Sequence, residues 1–383
     1  MDPSAFPDQS SPSDWYNIDS PITLTPNFTQ VSSDSSPPPL YVDSSKYQIL
    51  QKVKDAFNTP RFLQARDSTN PFESIGRSIF MNRAAIKLAN IDAVHHISNH
   101  VFTFIDKTSP SPFSFCDVAA GPGGFTQYLQ YRFPNSIGYG MTLKHQTLDW
   151  NTKSLDMSRF SPFYGPDNTG NLYTNWNHFI DFVLAEQPNG VDLVTADGGF
   201  DLEEGDKTLL HKQEFLSSRL LLTQSLIGIA CTKLNGNFVL KTFDTVTSIS
   251  AHVLFILSLC FNRIIIFKPI SSRPANAESY LLCIGRKPDI QQYYQLLSDA
   301  ANLYTDDLFL STLFSDDLPA SFTNWLYSSN TRSLDRQLSS AQHILLYING
   351  QSPTIPSYDT RKFLLMWNLP DTPPNPRYTF IKV

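Results

Sequence analysis

A chain of 383 residues with 41% hydrophobic and 17% charged residues carries enough apolar material for one large core, or a core with a smaller appendage. The first residues lack the basic and apolar regions of a secretion signal, and no stretch approaches the ~18 apolar residues that span a bilayer, so an intracellular chain that avoids membranes is expected. The net charge of −6 speaks against a nucleic-acid partner, because phosphate binding draws on Lys and Arg, but that charge is unevenly placed.

Residues 1–45 hold six aspartates and no Lys or Arg, are rich in Ser and Pro, and include Pro37-Pro38-Pro39. Such a composition buries too little apolar surface to offset chain entropy, and a disordered acidic tail is expected. From Lys46 to Lys87 the balance reverses, with eight basic residues against three acidic ones. The stretch is either a basic binding surface or a solvated helix face. Helices are expected from about Lys46 to Asp55 and from Arg83 to His100.

The period then changes. FSFCDVAA (113–120), IGYGMTL (137–143), VDLVTADG (191–198), NFVLKTF (237–243), RIIIFKPI (263–270) and SYLLCIG (279–285) are short apolar runs of strand length, bounded by Gly, Pro and Asn. Segments with helical spacing lie between most of them, notably Phe215 to Lys233 and Ser248 to Cys260. Strands alternating with helices predict an α/β fold with a largely parallel sheet buried on both faces. The last two strands follow each other with no helix between, which predicts an antiparallel strand pair at one edge. From 289 to 383 the chain reads as a helical extension containing HILLYIN and KFLLMWNLP. Cys116, Cys231, Cys260 and Cys283 sit far apart in apolar runs and read as reduced core cysteines. No cluster has metal-ligand spacing, and no metal is expected.

FCDVAAGPGGFTQYL places a strand, an acid at Asp117, the loop Gly121-Pro122-Gly123-Gly124 and a helix start in succession. Open α/β sheets bind ligands at this end of the first strand. The loop departs from the dinucleotide fingerprint, and its proline removes an amide that a pyrophosphate could use. An acid with a glycine loop suits a ligand bearing an ammonium and a carboxylate, such as the methionyl end of S-adenosylmethionine. The alternative is a tight turn whose glycines serve only backbone geometry.

Charges that punctuate apolar strands also need a reason. Asp197 ends VDLVTAD, Lys241 lies within NFVLKTF and Glu278 precedes SYLLCIG, while Lys87 sits on the helix before the first strand. Two lysines and two carboxylates in one cleft would be close to neutral together, which makes their desolvation tolerable. A free lysine with a pKa of ~10.4 is a poor base at neutral pH; a second cation and partial burial lower that value, and carboxylates oppose the change. A positioned general base typically contributes ~10²–10⁴ in rate.

These residues resemble the FtsJ-like ribose 2′-O-methyltransferases, whose hallmark is a Lys-Asp-Lys-Glu tetrad, and more closely the cap-specific mRNA nucleoside-2′-O-methyltransferase 1 family. The matching blocks are NPFESI (70–75), NRAAIKLANID (82–92), DVAAGPGGF (117–125), GYGMTLK (138–144), ADGGF (196–200), LKTFD (240–244) and FKPISSRPANAESYLLC (267–283), with weaker similarity from about Lys46 through RKFLLMWNLPD (361–371). The resemblance implies a Rossmann-like methyltransferase domain over 46–288, a largely parallel seven-stranded sheet with one antiparallel edge strand, and S-adenosylmethionine as cofactor.

By the same resemblance Lys87, Asp197, Lys241 and Glu278 form the tetrad, with Lys241 the base, the two carboxylates positioning the lysines, and Lys87 orienting the ribose. Asn82, Asp117, Ala120, Gly121, Pro122, Gly123, Gly124 and Phe125 would hold the cofactor, and Asn171, followed by Leu172, stands where the family has an acid near the third strand. Lys54, Asp55, Ala56, Phe57, Asn58, Arg66, His211, Lys212, Gln213 and Glu278 match positions that contact capped mRNA. The implied reaction is methylation of the first transcribed nucleotide's ribose 2′-hydroxyl, in the nucleus for a cellular member or in host cytoplasm or virion for a viral one. The alternatives are a 2′-O-methyltransferase of uncapped structured RNA and an inactive module that only binds capped RNA. The acidic tail is a candidate docking element for RNA polymerase or the capping machinery.

Overall fold

The computed structural model describes residues 14–77, 79–97, 112–145, 147–199, 212–367 and 369–370. The chain begins with strand β1 (Pro26–Ser32), helices α1 (Ser44–Asp55) and α2 (Phe62–Ser68), a 3-10 turn at Glu73–Arg77, and α3 (Arg83–Ile97). Strands and helices then alternate through β2 (Ser114–Val118), α4 (Gly124–Arg132), β3 (Ile137–Met141), β4 (Phe160–Phe163), α5 (Leu172–Glu186), β5 (Val191–Ala196), α6 (Gln213–Leu216), α7 (Ser218–Cys231), β6 (Thr232–Phe243), α8 (Ser248–Cys260), β7 (Phe261–Phe267) and β8 (Glu278–Arg286). The C-terminal part holds α9 (Gln291–Ala301), β9 (Leu308–Phe314), α10 (Ala320–Ile348) and α11 (Thr360–Met366).

Seven strands form one sheet in the order β4-β3-β2-β5-β6-β8-β7. The first five pair in parallel, and β8 runs antiparallel to both of its neighbours. The antiparallel pair β7–β8 closes one edge as expected, with the strand that runs against the others, β8, one in from the edge. The crossover through α8 lands β7 a strand's width beyond β6, and the chain fills that slot on its return. Successive residues alternate between two cores, as the strand period requires. Phe115, Leu193, Val239, Tyr280 and Leu282 pack with residues of α3, α4 and α11, while Cys116, Val194, Leu240, Leu281 and Cys283 pack with α5, α7, α8 and α9. All four cysteines are free and buried, as the sequence implied.

The expected disordered tail is overturned for residues 14–45, whereas residues 1–13 lie outside the described residues. β1 pairs antiparallel with β9, and the Tyr16 and Ile264 backbones exchange two hydrogen bonds at 2.8 Å. The Tyr16 ring packs against Phe322 and Trp325, and Asp43 caps α1 by accepting from the Ser45 and Lys46 amides. Average composition conceals the few apolar residues that matter: Tyr16, Leu24 and Val42 are each buried. The C-terminal extension is likewise not purely helical, because β9 supplies the partner of β1.

Candidate active site

Strand register alone assembles three of the four predicted charges. Lys241 lies opposite Tyr280 and Phe243 opposite Glu278, while Ala196, which precedes Asp197, lies opposite Leu240. Because β8 is antiparallel, its first residue meets the carboxyl ends of β5 and β6. Lys87 reaches the same place from α3. Its Nζ lies 2.7 Å from Glu278 Oε1 and donates to Oε2 at 2.8 Å. Lys241 Nζ donates to the Asp197 carbonyl oxygen at 2.8 Å and stands 3.3 Å from Asp197 Oδ1 and 3.9 Å from Glu278 Oε2.

The four side chains are only 7 to 14% exposed, so their two positive and two negative charges compensate within the fold. Burial alone would raise Glu278, but the Lys87 and Lys241 ammonium groups, with hydrogen bonds from Lys87 and Ser272, outweigh it and hold the carboxyl down to about 2. Tyr280 Oη donates to Asp197 Oδ1 at 2.8 Å, and Ser272 Oγ donates to Glu278 Oε1 at 2.6 Å. Sequence reasoning missed both partners, although each lies within the quoted block FKPISSRPANAESYLLC. A Cβ on Gly199 would sit 3.0 Å from Lys241 Nζ, so the glycine leaves room for the ammonium.

The glycine loop follows β2 at the same carboxyl end of the parallel strands. Gly123 has φ 104°, a left-handed conformation that side chains disfavour, and it starts α4. Gly121 N donates to Thr142 Oγ1 at 3.1 Å, the Pro122 carbonyl accepts from Asn151 N at 3.0 Å, and Ala120 and Phe125 are buried. Asn82 caps α3 by accepting from Ala84 N at 3.1 Å, and its side chain lies against Gly124. Bare backbone at the ends of β2 and β5, beside a capped helix start, fits a ligand with an ammonium and a carboxylate.

Asp117 behaves differently from expectation. It is fully buried, its Oδ2 accepts from Thr126 N at 3.0 Å and Thr126 Oγ1 at 2.7 Å, and its Oδ1 accepts from Thr195 Oγ1 at 2.7 Å. Burial pushes it up to about 7 against the pull of those bonds. Its place in this structure is to tie the loop to α4 and β5 rather than to face a ligand. Asn171 caps α5 by accepting from Tyr173 N at 3.0 Å, Leu172 is buried, and a 2.9 Å bond from Lys144 N to Thr169 O sets both beside the end of β3.

The substrate candidates divide. Lys54 Nζ donates to Gln337 Oε1 at 2.9 Å, and Gln337 Nε2 donates to Asp244 Oδ1 at 2.9 Å, which connects α1 through α10 to the chain just after β6. Burial pushes Lys54 down while Asp244 opposes the shift. Gln337 had no local signal, being far away in sequence. Phe57 stacks on Phe62 at 5.1 Å, Asp55, Ala56 and Asn58 are exposed, and Arg66 pairs with Asp67 at 2.9 Å. Lys212 donates to the Asp34 carbonyl and Gln213 begins α6, but the structure shows neither in contact with the tetrad; His211 lies outside the described residues.

Comparisons with known proteins agree with this geometry. The chain is 34% identical over 350 residues to cap-specific mRNA (nucleoside-2′-O-)-methyltransferase 1 of Mus musculus, covering 84% of this chain and 41% of that protein. It is 34% identical over 346 residues to the Drosophila melanogaster protein of the same name, covering 83% and 43%, and 30% identical over 394 residues to that of Xenopus laevis, covering 96% and 45%. It thus spans less than half the length of these relatives. The family profile described as FtsJ-like methyltransferase matches residues 80–286, a stretch that runs from just before Asn82 to the last residue of β8, and the chain belongs to that family.

Proposed function

We propose that the protein transfers a methyl group from S-adenosylmethionine to the ribose 2′-hydroxyl of the first transcribed nucleotide of capped mRNA, converting cap 0 to cap 1. The observation that carries this reading is the cluster of Lys87, Asp197, Lys241 and Glu278 at the carboxyl end of the parallel strands, where the glycine loop also lies. The cofactor, when bound, supplies a methyl on a cationic sulfur, and Asn82 with the backbone of Ala120 to Phe125 would hold it. Lys241, in its neutral form once its own proton has passed to solvent, takes the proton of the attacking hydroxyl. The ammonium that results is the form that the Asp197 carbonyl oxygen, the Asp197 carboxylate and Glu278 are placed to stabilise. Lys87, fixed by Glu278, orients the ribose, and much of the acceleration comes from holding nucleophile and methyl in line.

Lys54 and Arg66, on the basic stretch, are assigned to the cap and phosphates. The names of the relatives support a capped substrate. A docking role for the acidic segment toward polymerase or capping machinery is not part of this reading, because residues 14–45 are committed to the fold. The test is transfer of a tritiated methyl to short RNAs that are uncapped, capped, or capped and N7-methylated, with the labelled nucleotide mapped. Label on the first nucleotide of capped RNA is expected. Label on uncapped RNA, or at internal positions, would instead favour an enzyme of structured RNA, and no transfer to any RNA would leave only binding.

A further inference from the structure

A fifth buried charge stands behind the tetrad. Lys268 is the first residue past β7, where the chain begins the turn that brings it back as β8. It is 7% exposed, and its Nζ donates to the Asn276 carbonyl oxygen at 2.8 Å, to Asn276 Oδ1 at 2.7 Å and to the Glu278 carbonyl oxygen at 2.6 Å. An ammonium has three N–H donors, and here all three are used. None of the three acceptors is a carboxylate, so the charge is desolvated without a directly bonded counter-ion, a costly arrangement in a protein interior. Burial accordingly pushes Lys268 down to about 7, while the negative charges of Glu278 and Asp244 oppose the shift.

All three bonds end on the last residues before β8 and on the backbone of Glu278 itself. The other parts of the same loop are fixed to α3, the helix that bears Lys87: Arg83 Nη1 donates to the Ser271 carbonyl oxygen at 3.2 Å, and Ser271 N donates to Asn90 Oδ1 at 3.4 Å. Ser272, between these anchors, holds one oxygen of the Glu278 carboxylate. Lys268 adds to the pairing of Glu278 with Phe243 and to the bond from Asp244 N to the Ala277 carbonyl oxygen, and without it the start of β8 would lose its side-chain clamp from the β7 end and the registration of Glu278 between two lysines would loosen.

We propose that Lys268 is a positioning residue for methyl transfer, clamping the start of β8 so that the Glu278 carboxylate bridges Lys87 and Lys241. The role rests on the reading of the tetrad given above. Lys268 itself bonds to neither the glycine loop nor a residue of the basic stretch, so its effect falls on the rate of the transfer step ahead of cofactor or RNA affinity.

The test compares Lys268→Met, Lys268→Arg, Ser272→Ala and the Lys268→Met/Ser272→Ala double variant of the full chain, with Glu278→Gln as a separate control, on capped RNA. Lys268→Met is expected to lower kcat by about 10- to 100-fold, the scale of a misplacement of about 1 Å, with KM for RNA and Kd for S-adenosylmethionine within about twofold of the unsubstituted protein. The double variant is expected to lose less than the product of the two single losses, because both act through Glu278. Unchanged kcat in Lys268→Met, or losses that multiply in full, overturns the proposal. If Lys268→Met does not fold, Lys268→Arg decides: it keeps the buried cation, but its planar fork cannot put three donors on one point. A slowed Lys268→Arg with intact cofactor binding supports the clamp. Turnover at the unsubstituted rate, or loss of cofactor binding in both variants, refutes it. Full turnover in Glu278→Gln would sink the tetrad reading itself, whatever Lys268 does.

Discussion

At the scale of single residues, the site turns on where four charges sit relative to one another. Lys241 is gripped from one side by Asp197, through both backbone and side chain, and approached from the other by Glu278. Lys241→Ala removes the group assigned to take the proton and leaves the glycine loop and the basic stretch untouched. Methyl transfer should vanish while S-adenosylmethionine and cap binding stay near their starting values, as measured by calorimetry. Retained turnover would take Lys241 out of the role of base.

The same cluster makes a prediction about acid. Glu278 is held at about 2 against an ordinary value of 4.5, so its folded form binds fewer protons than the unfolded chain in that window. Stability from this group is therefore complete above about 4.5 and drains away as pH falls toward 2. Urea unfolding as a function of pH should show a steeper acid loss in the unsubstituted protein than in Glu278→Gln, which has no such proton to bind. Parallel curves would count against the ion cluster as described.

At the scale of elements, β1 and the segment before it behave as part of the fold. Tyr16 joins the edge strand β7 by two backbone bonds and packs its ring against Phe322 and Trp325 at centroid distances of 5.2 and 5.4 Å. Tyr16→Ala should destabilise the protein by about 3 kcal/mol, the usual cost of truncating a buried aromatic residue. Chemical denaturation reads this directly, and a change below about 0.5 kcal/mol, the size of an ordinary surface substitution, would restore the picture of a loose tail. The same logic explains β8. Its placement between β6 and β7 puts Glu278 at the carboxyl end of the parallel strands; an edge position would have left Tyr280 and Glu278 a strand away from Asp197 and Lys241.

At the scale of the whole molecule, the proposed substrate is a polyanion, and a chain of net charge −6 would have to meet it through a local surface. Lys54 and Arg66 belong to the basic stretch but are not free in this structure: Lys54 is bound to Gln337 and Arg66 to Asp67. Engaging RNA therefore means exchanging these partners for phosphate or cap groups. Lys54→Ala and Arg66→Ala should each weaken capped-RNA binding and reduce the slope of log affinity against log salt by about 1 when a phosphate contact is lost. Titrations across a salt series with unchanged slope and affinity would place the RNA elsewhere.

The chain by itself determined the strands of the parallel sheet apart from β4, the helices that link them, the glycine loop, and the identity of the four clustered charges. These are short-range matters: hydrophobic period and the residues at strand ends are written in a few consecutive positions. Tertiary structure alone decided that β8 lies inside β7, that Asp117 faces inward to Thr126 and Thr195, that Lys54 is joined to Asp244 through Gln337, and that an apparently unstructured acidic segment is packed against the C-terminal region. Apart from the short reach from Asp117 to Thr126, each of these depends on a partner tens to hundreds of residues away. Burial and hydrogen bonding are satisfied by whichever group arrives in space, and the composition of one segment carries no record of the group that will meet it.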